Sequence, residues 1–485
     1  MPIKPDITFK TLAIKTSPRL NTLCIPILMF FCGFCLALQP SQAIELKSAT
    51  SSSVSGSTSG DTGSSVKNAS AQQRQTIRVP AKPIRIRSLY GTVEENSMLI
   101  KALLVHPALN RLKKIDNIGP GRYFRAMPGY SLFDHALGVF ALLKRFQRPV
   151  KEQIAGLLEA VPHSVFAHQG TLYLRPNNST LPYYLAAHAG YMKKVGVEAL
   201  LNRAKLTSKD VHSTNVAFSS INKNPPFLSA FEIEMTLRLA FTYKLLSRGD
   251  IDSILSDLRF EDGKWIFVTQ KSAHRLARLS LYFAERYWGA HQNYVINRWV
   301  AAAIKRALEL NILSINDVRF GTDQNVLKRL MSAKDNVVKG LMLQCRQPFR
   351  FYDVVSSDTY DDLFKPEFRG LNPLVKVGGK TQRLTTLDSK YKQDFDRLRQ
   401  QFIKGIRIKY KQGQKGIKPF RGQQNAGLGT VDSPGADGAA REYSGSNSNL
   451  NQDTAQKTKY EISAQKFSSV DLSTLSVVVE DEGSE

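Results

Sequence analysis

Apolar residues recur at helical spacing through most of the middle of the chain, and prolines cut the pattern into short pieces. Met98, Leu99, Ala102, Leu103, Leu109, Leu112 and Ile115 form apolar stripes split at Pro107. The next stripe is LFDHALGVFALLKRF at 132–146, with Leu132, Ala136, Val139, Phe140 and Leu143 on one face. Pro149 opens another, EQIAGLLEAV, which stops at Pro162. Further helical stretches are expected at about 181–204, 227–247, 270–311, 323–333 and 334–344. Strand character is sparse. It is strongest at Arg259–Val268, where a central Asp262-Gly263 sits between β-forming residues and predicts a hairpin. Such a pattern describes one mostly α-helical domain, about 84–375, between flexible ends.

The ends differ in kind. Residues 1–20 carry Lys4, Lys10, Lys15 and Arg19, an apolar run spans 23–38, and Ser41 and Ala43 stand at the −3 and −1 positions of a cut after Ala43. This describes a secretory signal peptide; the 16-residue run is short for a membrane span of roughly 20, though an uncleaved anchor at 23–38 is the alternative. Residues 49–66 are almost all Ser, Thr and Gly, a tether that buries nothing. Residues 74–87 are basic and β-biased, an arm or strand leading into the helical region. From about 405 the periodicity fades into Gly, Gln, Asn and Ser, which predicts disorder.

The net charge of +26 is concentrated in the region that folds. Residues 1–73 hold six basic and three acidic residues, and 401–485 hold eleven and ten, so 74–400 carries +22. A basic domain suits anionic partners, although charge of this kind also serves solubility alone. Outside the N-terminal run, Cys345 is the single cysteine, so neither an intramolecular disulfide nor a cysteine-rich metal site can form there.

Three histidines fall on adjacent elements. His135 is mid-helix in FDHALGV, and His163 and His168 follow the next helix in GLLEAVPHSVFAHQG. Two antiparallel helices would bring them together, where imidazoles can bind metal, contact phosphate or move protons. Unrelated core or surface histidines would read the same from spacing alone.

The ordered phrases of 84–375 resemble the HD-superfamily phosphohydrolases, in particular the branch that includes deoxynucleoside triphosphate triphosphohydrolases. They are Tyr90-Gly91, HPALNRLKKIDNIGPGRYF at 106–124, LFDHALGV at 132–139, EQIAGLLEAVPHSVFAH at 152–168, FEIEMTLRL at 231–239 and Gly321-Thr322-Asp323 leading into Val326-Leu327. The resemblance implies a metal held by a first His, a His-Asp doublet and a distant Asp. His135 matches the first His, Glu159-Ala160 replace the doublet, and Phe231 replaces the distant Asp. Leu132 stands where the family has Arg. His163 and His168 match positions that face the substrate phosphates in the family.

The resulting expectation is a mostly α protein, an HD-domain helical bundle with one small β-hairpin and disordered ends. Its parts are a signal peptide (1–43), a Ser/Gly-rich linker and basic arm (44–83), an HD-like helical domain (84–375), a C-terminal helical extension (376–404) and a disordered tail (405–485). The function expected is that of an exported, non-catalytic binder of a phosphate-bearing ligand or partner through His163 and His168, with no cofactor. The alternatives are an active phosphohydrolase with a divalent metal in a rearranged centre including His135 and Glu159, and a basic binder of nucleic acid or an anionic surface. No DNA-reading motif accompanies the last.

Overall fold

The computed structural model describes residues 77–168, 174, 181–411 and 477–479. The signal-like segment 1–43, its apolar run 23–38, nearly all of the 44–83 linker and most of the 405–485 tail lie outside the described residues. Among the described residues no helix is long and apolar enough to cross a membrane.

Helices form where the apolar stripes predict them, and their ends are closed by side chains of the right chemistry. Ser97 caps Met98–Val105, Ser131 caps Leu132–Arg145 and Ser229 caps Ala230–Thr242, each accepting from a backbone amide of the first turn. His106 ends the first of these helices and starts Pro107–Arg111, its Nδ1 accepting from the Ala108 amide at 3.1 Å. Leu132–Arg145 and Val150–Leu158 are joined by a short turn. They pack closely at Gly156, where a β-carbon would lie 2.7 Å from Leu143 and 2.8 Å from Val139. Val139, Phe140, Leu142, Leu143, Ile154 and Leu157 are fully buried in this seam. Burying each such large side chain contributes roughly 1.5–3 kcal/mol against the unfolded chain. Later come Gln270–Phe283, a π-helical turn at Ala284–Trp288, the long helix His291–Glu309, Asp323–Met331 and Asn336–Arg346.

The expected hairpin is present as Leu258–Glu261 and Lys264–Phe267, with Asp262 and Gly263 at φ 49° and 70°. It is not the lone β element, and the expectation of one small hairpin is corrected in three places. Ile84–Ser88 and Gly91–Glu95 form a second ribbon, which turns at Tyr90-Gly91 with Gly91 at φ 105°. Leu374–Val377 pairs parallel with Lys264–Phe267, and Lys380–Arg383 extends it, making four strands. Ile406–Tyr410 lies between Tyr352–Val355 and Asp362–Phe364 as the middle of three antiparallel strands.

The stretch 376–404 is therefore strand first and helix second, with Ser389–Lys404 as the helix, and 406–410 is ordered rather than tail. The reason is non-local. Leu374–Val377 and Ile406–Tyr410 are four and five residues long and join strands far away in sequence, so no local period announces them, whereas Lys380–Arg383 pairs locally across the turn at Gly378-Gly379.

Candidate functional site

His135 stands one turn into Leu132–Arg145 and faces Ala230–Thr242. Its Nδ1 makes a very short hydrogen bond with the Glu234 carboxylate, which Arg238 also engages from one turn further on. Tyr90 reaches the same residue, its hydroxyl 3.0 Å from the Glu234 carbonyl and 3.2 Å from Oε1. Gly138 makes room for this cluster, since a β-carbon there would collide with the Glu234 carboxylate. Burial opposes charge on His135, but Glu234 outweighs it and raises the imidazole pKa above its ordinary value. For Glu234 the desolvation is likewise overcome, by Arg238 and then His135, and its pKa falls.

The other positions that the resemblance assigns to a metal carry side chains of different chemistry. Glu159 ends Val150–Leu158, and burial raises its pKa while His135, a hydrogen bond from Tyr184 and the charge of Arg369 pull it back. Ala160 is 1% exposed and offers a methyl group. The Phe231 ring lies 6.1 Å from the His135 ring. A divalent cation exchanges its water shell for charged oxygens and imidazoles, and a methyl and a phenyl ring supply neither. Among the described residues no three His, Cys, Asp or Glu side chains gather as a ligand set. The residues present do not fit the family's metal centre.

His163 and His168 flank the same pocket. Their rings are 5.1 Å apart and edge-to-face, and the Tyr184 ring stacks on His163 at 4.0 Å. His163 Nδ1 donates to the Ala160 carbonyl at 3.0 Å, which assigns the tautomer and leaves Nε2 as a buried acceptor without a partner. Burial, then His168, holds the His163 pKa well below the usual range, so the ring stays neutral. His168 is open to solvent on one side; the protein packed around it, followed by Arg369, lowers its pKa to about 4.

Arg369 enters from the segment before Leu374–Val377. It donates to Glu232 at 3.0 Å and to Glu367 at 3.0 Å, with its guanidinium 5.0 Å from the centre of the Trp288 ring. The π-helical turn carries Trp288 to that position.

The loop bearing the two histidines is held from outside. Phe166 and Ala167 adopt φ 57° and 52°, a left-handed pair that needs external support. Asp323 provides it, accepting from the Phe166 amide at 2.6 Å, the Asp116 amide at 2.8 Å and the Tyr123 hydroxyl at 3.0 Å. Arg111 ties the same loop to the neighbouring turn, donating to the carbonyls of His163 at 2.6 Å and Gly321 at 3.0 Å.

The four residues singled out from sequence, His135, Glu159, His163 and His168, therefore lie close enough together for their charges and rings to act on one another. Glu234 and Arg238 were legible in principle, as a Glu and Arg four apart on one helix in the phrase at 231–239. Tyr184, Glu232 and Arg369 carry no sequence signal that ties them to the pocket.

No family model matches the chain. It is 23% identical over 324 residues to an uncharacterized protein, YdhJ of Bacillus subtilis, covering 66% of this chain and 97% of that one. It is also 23% identical over 172 residues to the metal-dependent phosphohydrolase cns2 of Cordyceps militaris, a match to 35% of this chain and about half of the relative, 49%. Two solved structures share the fold. One is a hypothetical protein from Aquifex aeolicus (TM-score 0.50, 14% identity, 68% of this chain and 96% of that one). The other is a phosphohydrolase from Bacteroides thetaiotaomicron (TM-score 0.52, 13% identity, 69% and 100%). The two solved structures show the fold, and over part of its length the sequence is similar to that of a metal-dependent phosphohydrolase.

Proposed function

We propose that this protein is an HD-domain-like binder of a phosphate-bearing ligand that does not carry out metal-dependent hydrolysis. The observation that carries the reading is the chemistry at two positions: the buried Ala160 methyl and the Phe231 ring beside His135. Two charges needed to offset the dehydration of a metal ion are absent there, and with them the route to a metal-activated water. The family resemblance at His163 and His168 supports a phosphate ligand, and so does a +22 charge on 74–400. His168 and the Arg369 guanidinium are the donors for it, and neutral His163 contributes an acceptor. Signal-directed export through 1–43 belongs to the same proposal.

Protein expressed with supplementary Mn, Fe, Ni and Zn is expected to purify with far less than one equivalent of any of them, measured by inductively coupled plasma mass spectrometry. Stoichiometric metal that disappears in His135→Ala overturns the reading. A second reading, an active phosphohydrolase with a rearranged centre, draws on the similarity to cns2 and on the unpartnered Nε2 of His163. Turnover of nucleotides or phosphoesters in a metal-screened panel, lost in a His163/His168 double substitution, would establish it.

A further inference from the structure

The pocket already holds an occupant, and it is a side chain of the protein itself. Tyr184 belongs to the single turn Tyr183–Ala186, and its ring lies face-on to His163 at 4.0 Å and edge-on to His168 at 6.1 Å. Its hydroxyl donates to Glu159. Under the ring, Nε2 of His163 is buried with no partner. A buried acceptor left empty is costly and is normally satisfied in the state a protein evolved to adopt. Two acceptors therefore lie beside Tyr184, the Glu159 carboxyl and His163 Nε2; the neutral His168 ring stands edge-on to His163 and Tyr184, and the charge of Arg369 acts on Glu159 and Tyr184.

We propose that Tyr184 is a displaceable plug, and that the ligand replacing it is a phosphate ester carrying a hydroxyl group of its own. The ligand's hydroxyl takes over the donation that the phenol now makes, to Glu159 or to His163 Nε2. Its phosphate lies against His168 and Arg369. A phosphate monoester without a hydroxyl fits less well, because its dianion has no O–H to donate and its oxygens would face two acceptors. The phosphate half of this inference rests on the binding function proposed above; the plug and the hydroxyl rest on the contacts of Tyr184.

The test uses the full chain as wild type, Tyr184→Ala and Tyr184→Phe, with Tyr184→Val in place of the alanine variant if that does not fold. Diethyl pyrocarbonate modifies neutral, accessible imidazoles, and mass spectrometry reads the peptide containing His163. The residue is expected to be protected in wild type and in Tyr184→Phe, which keeps the ring, and modified in Tyr184→Ala. Calorimetric titrations with glycerol 3-phosphate and methyl phosphate give the second readout. Tyr184→Ala is expected to bind glycerol 3-phosphate about tenfold more tightly than wild type does, and about tenfold more tightly than it binds methyl phosphate. Equal labelling of His163 in wild type and Tyr184→Ala overturns the plug. Equal affinity for the two phosphates overturns the hydroxyl requirement. Binding of neither phosphate by any variant, with labelling as expected, removes the phosphate-binding function and leaves the plug standing.

Discussion

Glu234 lies 99 positions from His135 in sequence and holds its imidazole together with Arg238. All three are shielded from water, with Glu234 fully buried. Removing one partner from such a cluster leaves the others charged and undersolvated. Glu234→Ala is expected to cost about 3–5 kcal/mol in urea unfolding. A loss below about 1 kcal/mol would show that the cluster is solvated in solution. His188 makes a pH prediction. It is fully buried, neither ring nitrogen has a partner, and His212 stacks edge-on at 4.7 Å. Burial, and then His212, lowers its pKa to about 4. A histidine pKa lowered on folding means that the unfolded chain takes up the proton first. The stability His188 contributes is therefore present above pH 6.5 and is lost as pH falls from there toward 4. Between pH 7.5 and 5, wild type is expected to lose roughly 2 kcal/mol relative to His188→Leu, read by urea denaturation at both values. No difference between the two pH values would mean that His188 is not buried neutral.

At the scale of elements, the pocket depends on close approach. Gly138 faces Glu234 and Arg238 from the helix that carries His135. Alanine is the better helix former by about 1 kcal/mol, yet its β-carbon would meet the Glu234 carboxylate. Gly138→Ala is expected to destabilise by roughly 1–3 kcal/mol and to shift the His135 imidazole signals in NMR spectra, because the clash outweighs the propensity. A stabilised variant would show that Glu234 can move aside at no cost. The strand Ile406–Tyr410 gives a second expectation. It bonds to strands on both sides and buries Ile408 completely. In thermal melts a chain ending at 404 is expected to melt lower than one ending at 411, since two strand pairings and a core side chain go together. The capped helices around the pocket were legible because their stripes and caps are local. This strand was not, since its five residues become a strand only through partners some fifty positions upstream.

For the whole molecule, the excess of +22 over 74–400 is what remains after every carboxylate is counted, so ion pairs place the cations without cancelling it. Many of its arginines are engaged with carboxylates, among them Arg122 with Asp116, Arg278 with Asp394, Arg298 with Asp362 and Arg369 with Glu232. Others are spent on backbone carbonyls, as Arg111 is. With no DNA-reading motif beside it, this charge is expected to give only non-specific duplex DNA binding, which vanishes by about 200 mM salt in a fluorescence anisotropy titration. Binding that persists above that would favour the nucleic-acid function over the small-ligand one. By itself the sequence determined the helical class, the capped helix that carries His135, the hairpin at Asp262-Gly263, and the identities of Glu159, Ala160 and Phe231 on which the proposed function rests. Each of these is written in a few consecutive residues or in an ordered set of phrases. Tertiary structure alone decided that Glu234 holds His135, that Arg369 comes to Glu232, and that Tyr184 fills the space over His163. Those meetings depend on chain segments far apart in sequence being packed against one another, and what selects them is burial and charge pairing across the whole core rather than any local period.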